Sequence, residues 1–219
     1  MAVHKKSSSL TFILFSIVCL VAFLSEYIFL QIEQFIYDKN YFKFTITESI
    51  VHWVLMCVIW GMIGTVLFYL STRVYRFDTS NHSTLPSVKG WIISVILLGI
   101  SVATKMFVFD GWKVLLDFHN SGWFQFIFQY IYYLFEAFII LLTVIFAQEA
   151  GERITKLDKV PWGGILLALT WGLSHIITQS SLTIGLLYVV ISLLFGITYI
   201  SVKKNFYISY GFIALMFLI

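Results

Sequence analysis

The chain has 219 residues, of which 60% are apolar and 11% charged, and its formal net charge is +3. Soluble domains are about half apolar and about a quarter charged, so this composition excludes an ordinary soluble enzyme and indicates an integral membrane protein. No basic patch with interleaved aromatic residues accompanies the small positive charge, so we expect the lipid bilayer, and not nucleic acid, as its surroundings.

A run of about 20 apolar residues is long enough to span a bilayer as a helix. By this rule the sequence predicts helices over 10–30, 50–70, 91–109, 123–148, 162–178 and 182–202, and a short seventh over 206–219. No linker or internal repeat divides them, so we expect a single transmembrane helical domain over 1–219. The predicted fold is an all-α polytopic bundle of about seven transmembrane helices.

Lysine and arginine are distributed unequally between the two sets of loops. Ten of the fourteen fall on the side of the amino terminus: Lys5, Lys6, Arg73, Arg76, Lys89, Arg153, Lys156, Lys159, Lys203 and Lys204. By the positive-inside rule this side faces the cytoplasm, so we predict a cytoplasmic N-terminus. We expect a multi-pass protein of a cell membrane, of the bacterial cytoplasmic type.

Polar residues within predicted helices are informative, because an unpaired ionisable group in hydrocarbon costs several kcal/mol. Gln125, Gln129 and Glu136 follow one stripe of the fourth helix and must face protein or water. Two interpretations of this stripe are compatible with the sequence: a hydrogen-bonded seam between helices, or the lining of a polar cavity. Glu26 and His52 lie near predicted helix ends, which favours side chains that reach the membrane interface.

The fifth predicted helix carries Gly164, Ala168 and Gly172 at four-residue spacing. Small residues at this spacing let a neighbouring helix approach closely. His175 follows one turn later. A lone histidine on a membrane helix is usually a packing residue, but a polar segment closely precedes this helix, so a functional role stays open. The two cysteines, Cys19 and Cys57, lie in separate apolar runs without metal-ligand spacing, and we expect neither a metal nor a cofactor.

The polar segment is FAQEAGERITKLDK, residues 146–159. Glu149 with Arg153, and Glu152 with Lys156, are glutamate–cation pairs at i, i+4, which stabilise an exposed helix end by a few tenths of a kcal/mol each. The segment is therefore either a solvated helix end or half of a site that His175 completes.

The order QEAGER (148–153) and then WGLSH (171–175) resembles the CPBP family, which comprises the CAAX prenyl proteases and the bacteriocin-processing or self-immunity proteins also called Abi. That family carries Glu-Glu-x-x-x-Arg near the end of one membrane helix and Phe-x-x-x-His on the next. Glu149, Arg153 and His175 match these motifs, whereas Gln148 replaces the first glutamate and Trp171 replaces phenylalanine. The family-like motif region is 123–219.

The resemblance implies an intramembrane endopeptidase in which Glu149 or Glu152 acts with His175 on a water. Arg153, Trp171 and Ser174 would support that site. Gln148 cannot act as a general base, and 206–219 lacks the family's last histidine motif.

Three function classes follow. The departures from the motifs favour a catalytically silent relative that binds a membrane-embedded protein or peptide, as a scaffold or self-immunity protein does. An active glutamate-dependent endopeptidase is the alternative. A small transporter lined by the Gln125, Gln129 and Glu136 stripe is the third, against which the unbroken predicted helices count.

Overall fold

The computed structural model describes residues 8–78 and 85–219, so Lys5 and Lys6 lie outside the described residues. The described residues form seven helices and no strand: α1 (Ser9–Tyr37), α2 (Ile46–Val74), α3 (Val88–Val108), α4 (Lys113–Thr155), α5 (Trp162–Thr178), α6 (Leu182–Ser201) and α7 (Phe206–Leu218). Five of them, α1 to α4 and α6, are long and apolar enough to cross a membrane. The predicted all-α class is confirmed.

The helices begin where short polar side chains can satisfy the first backbone N–H groups. Thr45 and Glu48 form a reciprocal capping box at the start of α2, and Ser87, Ser181 and Asn205 cap α3, α6 and α7. Such caps stabilise a helix by about 1 kcal/mol each. Helix α1 continues to Tyr37, seven residues beyond its predicted end, and this extension carries Glu33 into the helix.

Helix α4 holds the centre of the bundle. It contacts α1, α2, α5, α6 and α7, and every residue from Ile139 to Gln148 is buried. A helix that is buried on all sides must be apolar all round, which the run of branched residues and phenylalanine over 138–146 provides.

Helices α5 and α6 approach each other closely through glycine. An added Cβ atom at Gly196 would lie 2.7 Å from Cα of Gly164, and one at Gly172 would lie 3.0 Å from Cα of Val189. The small-residue ridge of α5 therefore receives a neighbouring helix, as its four-residue spacing predicts.

Three irregularities interrupt the helices. Leu70–Val74 of α2 and Ala168–Gly172 of α5 are π-helical turns, and Gly122 kinks α4 with φ of 70° and ψ of 165°. The two π-helical turns lie within continuous helices, and Gly122 precedes residue 123, where the predicted fourth helix begins, so the kink interrupts none of the predicted spans.

The short helix α7 is held at its carboxyl end by a buried lysine. Lys105 of α3 donates from Nζ to the carbonyl oxygens of Met216 (2.6 Å) and Phe217 (3.1 Å), and the Ser101 hydroxyl also donates to Met216 (3.0 Å). The last carbonyl groups of a helix lack intrahelical partners and carry partial negative charge, so a cation here stabilises the helix end.

Candidate functional site

The motif residues at the end of α4 serve contacts between helices. Gln148 is only 1% exposed. Its amide nitrogen donates to the carbonyl of Val160 (2.8 Å) and to Oε1 of Glu152 (2.7 Å), and its oxygen accepts from the backbone N–H of Gly163 (3.1 Å). One side chain thus satisfies backbone groups at the α4–α5 turn and the start of α5, a role that needs both amide donor and amide acceptor.

The two glutamates that follow have separate partners. Glu149 accepts from Nε of Arg153 at 2.5 Å, and the guanidinium carbon of Arg153 lies 4.5 Å from the ring centroid of Phe12 on α1. Glu152 forms an ion pair with Nζ of Lys204 (2.6 Å), which lies in the turn between α6 and α7. The first pair lies within α4, where Arg153 also contacts α1 through Phe12, and the second ties the end of α4 to the turn between α6 and α7.

His175 belongs to a different level of the bundle. Its Nδ1 lies 2.7 Å from the carbonyl oxygen of Trp171, and its ring centroid lies 4.0 Å from that of Tyr188. Because a carbonyl only accepts, Nδ1 carries the proton and Nε2 has the free lone pair. The exposed Ser174 donates to the same carbonyl at 2.7 Å. Trp171 lies in the π-helical turn, where backbone carbonyls leave the regular hydrogen-bond ladder.

The structure does not bring His175 to Glu149 or Glu152. Gly163 is level with Gln148 through their hydrogen bond, and His175 lies twelve residues further along α5. At 1.5 Å per residue this separation is roughly 18 Å along the helix axes.

Glu136, from the polar stripe of α4, shares a contact residue with His175. Glu136 is 6% exposed, and its Oε1 accepts from the indole N–H of Trp171 at 3.2 Å. Trp171 also contacts His175, with ring centroids 4.5 Å apart. Both polar side chains therefore contact the same tryptophan.

The rest of the stripe lies nearer the Gly122 kink. Gln129 donates to the hydroxyl of Tyr133 at 2.8 Å and accepts from Ser121 at 3.4 Å, and Gln125 is half-buried. These hydrogen bonds lie within α4, and Glu136 joins the stripe to α5 through Trp171.

A buried acid–base cluster joins α1, α2 and α4 in the same half of the bundle. His52, 1% exposed, lies between two carboxylates: Nδ1 is 2.6 Å from Oε2 of Glu33, and Nε2 is 4.0 Å from Oε1 of Glu26. The hydroxyl of Tyr132 donates to Glu26 at 2.5 Å. His52 lies within two turns of the start of α2 at Ile46, and its side chain is buried against Glu33.

Tyr41, in the turn between α1 and α2, packs against this cluster. The ring centroid of Tyr41 lies 6.0 Å from that of His52. Burial, together with the negative charges of Glu26 and Glu33, raises the pKa of Tyr41 to about 12, so this phenol stays neutral at physiological pH.

The sequence pattern does not predict this cluster, because the first predicted helix ends at residue 30, before Glu33. The signal that could have found it is the spacing of Glu26 and Glu33, which are seven residues apart and so share one face of a continued helix. Among the described residues no group of three or more histidine, cysteine, aspartate and glutamate side chains is arranged to hold a metal ion.

Comparisons of the chain with family models, with curated proteins and with solved structures gave no match.

Proposed function

We propose that the chain is a multi-pass membrane protein of CPBP-like type that binds a membrane-embedded protein or peptide without cleaving it. Its five long apolar helices support residence in a membrane, and the excess of basic residues in alternate loops supports a cytoplasmic N-terminus. The resemblance to the CPBP family rests on the motif residues alone.

The single observation that carries the proposal is the engagement of Gln148. Its amide satisfies the Val160 carbonyl and the Gly163 N–H, and its nitrogen also donates to Glu152. A general base in this position would have to give up the two N–H donors that hold the helix end together. Glu149 and Glu152 are likewise paired with cations, so the segment supports a structural role.

One observation favours the endopeptidase as a second candidate. Glu136 and His175 both contact Trp171, and Nε2 of His175 is the nitrogen with the free lone pair. A carboxylate and an imidazole are groups with which a peptidase can activate a water. In this alternative Glu136, and not Glu149, is the catalytic carboxylate.

The test compares new protein termini, measured by mass spectrometry, in membranes of cells that express the native chain, Glu136→Gln, His175→Gln or Glu149→Gln. The proposal expects the same termini in all four. Cleavage that disappears in Glu136→Gln and His175→Gln, but persists in Glu149→Gln, would establish the second candidate. Cleavage that disappears only in Glu149→Gln would instead support the site implied by the family motifs.

Binding is tested in the same cells with a photoreactive amino acid at Ser174, which is exposed beside His175. The proposal expects crosslinks to a defined set of membrane proteins. The matched control carries the same amino acid at Val58, an exposed residue on α2. Identical crosslinks from both positions would reflect random collisions in the bilayer and would contradict the proposal.

A further inference from the structure

His52 of α2 lies against the carboxyl-terminal part of α1 with both of its ring nitrogens directed at carboxylates. Nδ1 is 2.6 Å from Oε2 of Glu33, and Nε2 is 4.0 Å from Oε1 of Glu26. Because the two glutamates are seven residues apart on one helix, α1 presents both of them to the same ring. The ring itself is 1% exposed, so water does little to weaken its interaction with these charges.

Phenols and a further carboxyl group surround these three side chains. On α4 the hydroxyl of Tyr132 donates to Glu26 at 2.5 Å. Glu136 follows one turn later on α4 and interacts electrostatically with Glu26. In the turn between α1 and α2, the ring of Tyr41 lies against that of His52. Neither a phenol nor a carboxyl group can carry positive charge, so none of these neighbours balances the two carboxylates.

Lysine and arginine do not balance them either. Among the described residues, no lysine or arginine forms an ion pair with Glu26 or Glu33. Glu48, one turn before His52 on α2, is paired with Lys39 across 2.7 Å, and this pair adds no net charge. Since an uncompensated buried charge is costly, the form of the ring that matches this position is the imidazolium, which carries a proton on each nitrogen.

We propose that His52 is a proton-binding site that is occupied at neutral pH and that joins α1 to α2 at this end of the bundle. The bound proton makes the ring a cation between Glu26 and Glu33. Loss of the proton removes the attraction between α2 and these two carboxylates and leaves their negative charges beside a neutral ring. Glu26, whose side chain is 29% exposed, is the member of the group through which the proton exchanges with the surroundings.

The charge of the His52 ring is measured by nuclear magnetic resonance. The full chain, isotope-labelled only in its five histidines, is placed in lipid nanodiscs, and the signal that is missing in His52→Gln belongs to His52. The two nitrogens of an imidazolium have similar shifts, whereas those of a neutral ring differ widely. We expect imidazolium shifts for His52 at about pH 7, where free histidine, with a pKa of about 6.5, is mostly neutral. A neutral His52 ring at that pH would overturn the proposal.

Three variants identify the source of the proton affinity. Glu26→Gln and Glu33→Gln each keep a hydrogen-bond acceptor beside the ring and remove one charge. An opposite charge within about 4–6 Å changes proton affinity by about ten-fold or more, so each variant should bind the proton at least about ten-fold more weakly. Either variant that folds is sufficient for this test.

The matched control is Glu48→Gln, the same change on the helix that carries His52. Glu48 is paired with Lys39 and its side chain is 21% exposed, so solvent screens its charge and the proton affinity should change by less than about three-fold. Equal losses in Glu33→Gln and Glu48→Gln would mean that the ring responds to the overall charge of the protein, and would overturn the site.

The joint between the two helices is tested with spin labels at Phe35 of α1 and Val51 of α2, both exposed, in a variant that lacks Cys19 and Cys57. The distance between the labels is measured by electron paramagnetic resonance below and above the pH at which the His52 signal changes. We expect a longer and broader distribution above that pH, and no change with pH in His52→Gln. A distance that stays constant with the native histidine, or that changes equally in His52→Gln, would show that the proton does not join the helices.

Discussion

Trp171 donates its indole N–H to Oε1 of Glu136 across 3.2 Å, and this bond joins the polar stripe of α4 to the helix that carries His175. The bond is buried, since Trp171 is 5% and Glu136 6% exposed. It fixes the register of α5 against α4, because a shift of α5 by one turn would move the indole about 5 Å from the carboxylate.

Trp171→Phe removes the donor and leaves the Glu136 carboxyl group without this partner. We expect the free energy of unfolding to fall by about 1–3 kcal/mol, the cost of an unsatisfied buried polar group. Unfolding in mixed detergent micelles measures it. Trp123→Phe, at a tryptophan that is 65% exposed, is the control and should change stability by less than about 0.5 kcal/mol. Equal stability of the two variants would mean that the bond contributes nothing.

Gln148→Glu tests whether this position is structural. A carboxylate cannot donate to the Val160 carbonyl, and it would lie against the carboxylate of Glu152. We therefore expect a loss of about 1–3 kcal/mol, measured as a lower midpoint of thermal unfolding in nanodiscs. Gln179→Glu, the same change at an exposed position, should have little effect. A gain in stability or in peptide cleavage from Gln148→Glu would contradict the structural role.

The cluster at His52 should behave as one unit. Removing one partner of a buried hydrogen bond leaves the other unsatisfied at a cost of about 1–3 kcal/mol, so Glu33→Ala and His52→Ala should each destabilise the protein. The double variant should cost less than the sum of the two, because both changes disable the same contact. A thermodynamic cycle of the three variants in a micelle unfolding assay measures this coupling.

The control for that cycle is the ion pair of Lys39 with Glu48, whose nitrogen and oxygen are 2.7 Å apart and whose side chains are 26% and 21% exposed. Such pairs are worth about 0–1 kcal/mol. A coupling in the His52 cycle no larger than in this control would refute a cooperative buried cluster.

The sequence predicts the helices of this bundle better than it predicts their ends and their contacts. Apolar runs set the positions of all seven helices, because hydrocarbon length requirements leave little freedom. The sequence predicts the ends of the helices less well, since α1 continues through Gln31, Glu33 and Gln34 and ends at Tyr37. Polar residues do not end a helix when their side chains have buried hydrogen-bond partners. The sequence also could not predict which residues of α4 lie level with His175. That register between α4 and α5 depends on the turn at Val160 and on the hydrogen bonds of Gln148.

The orientation of the bundle can be tested with single cysteines in a variant that lacks Cys19 and Cys57. A cysteine at Asp158, in the turn between α4 and α5, should resist an impermeant thiol reagent in intact cells, whereas one at Asn120, near the Gly122 kink, should react. The expectation follows from the distribution of lysine and arginine. Reaction at Asp158 and protection at Asn120 would invert the topology and place the QEAGER segment outside the cytoplasm.

The glycine contact between α5 and α6 gives the sharpest stability test. A Cβ atom at Gly196 would lie 2.7 Å from both Cα and N of Gly164, and backbone atoms cannot move aside as a flexible side chain can. We expect Gly196→Ala to separate the two helices and to lower stability by about 1–3 kcal/mol, the usual cost of overpacking. At Gly211 of α7 an added Cβ meets nothing within 4 Å. Gly211→Ala should therefore be neutral or stabilising by up to about 1 kcal/mol, because alanine is the better helix former. Thermal unfolding of both variants under one set of conditions decides the matter, and a Gly196→Ala protein as stable as Gly211→Ala would show that α5 and α6 are not in close contact.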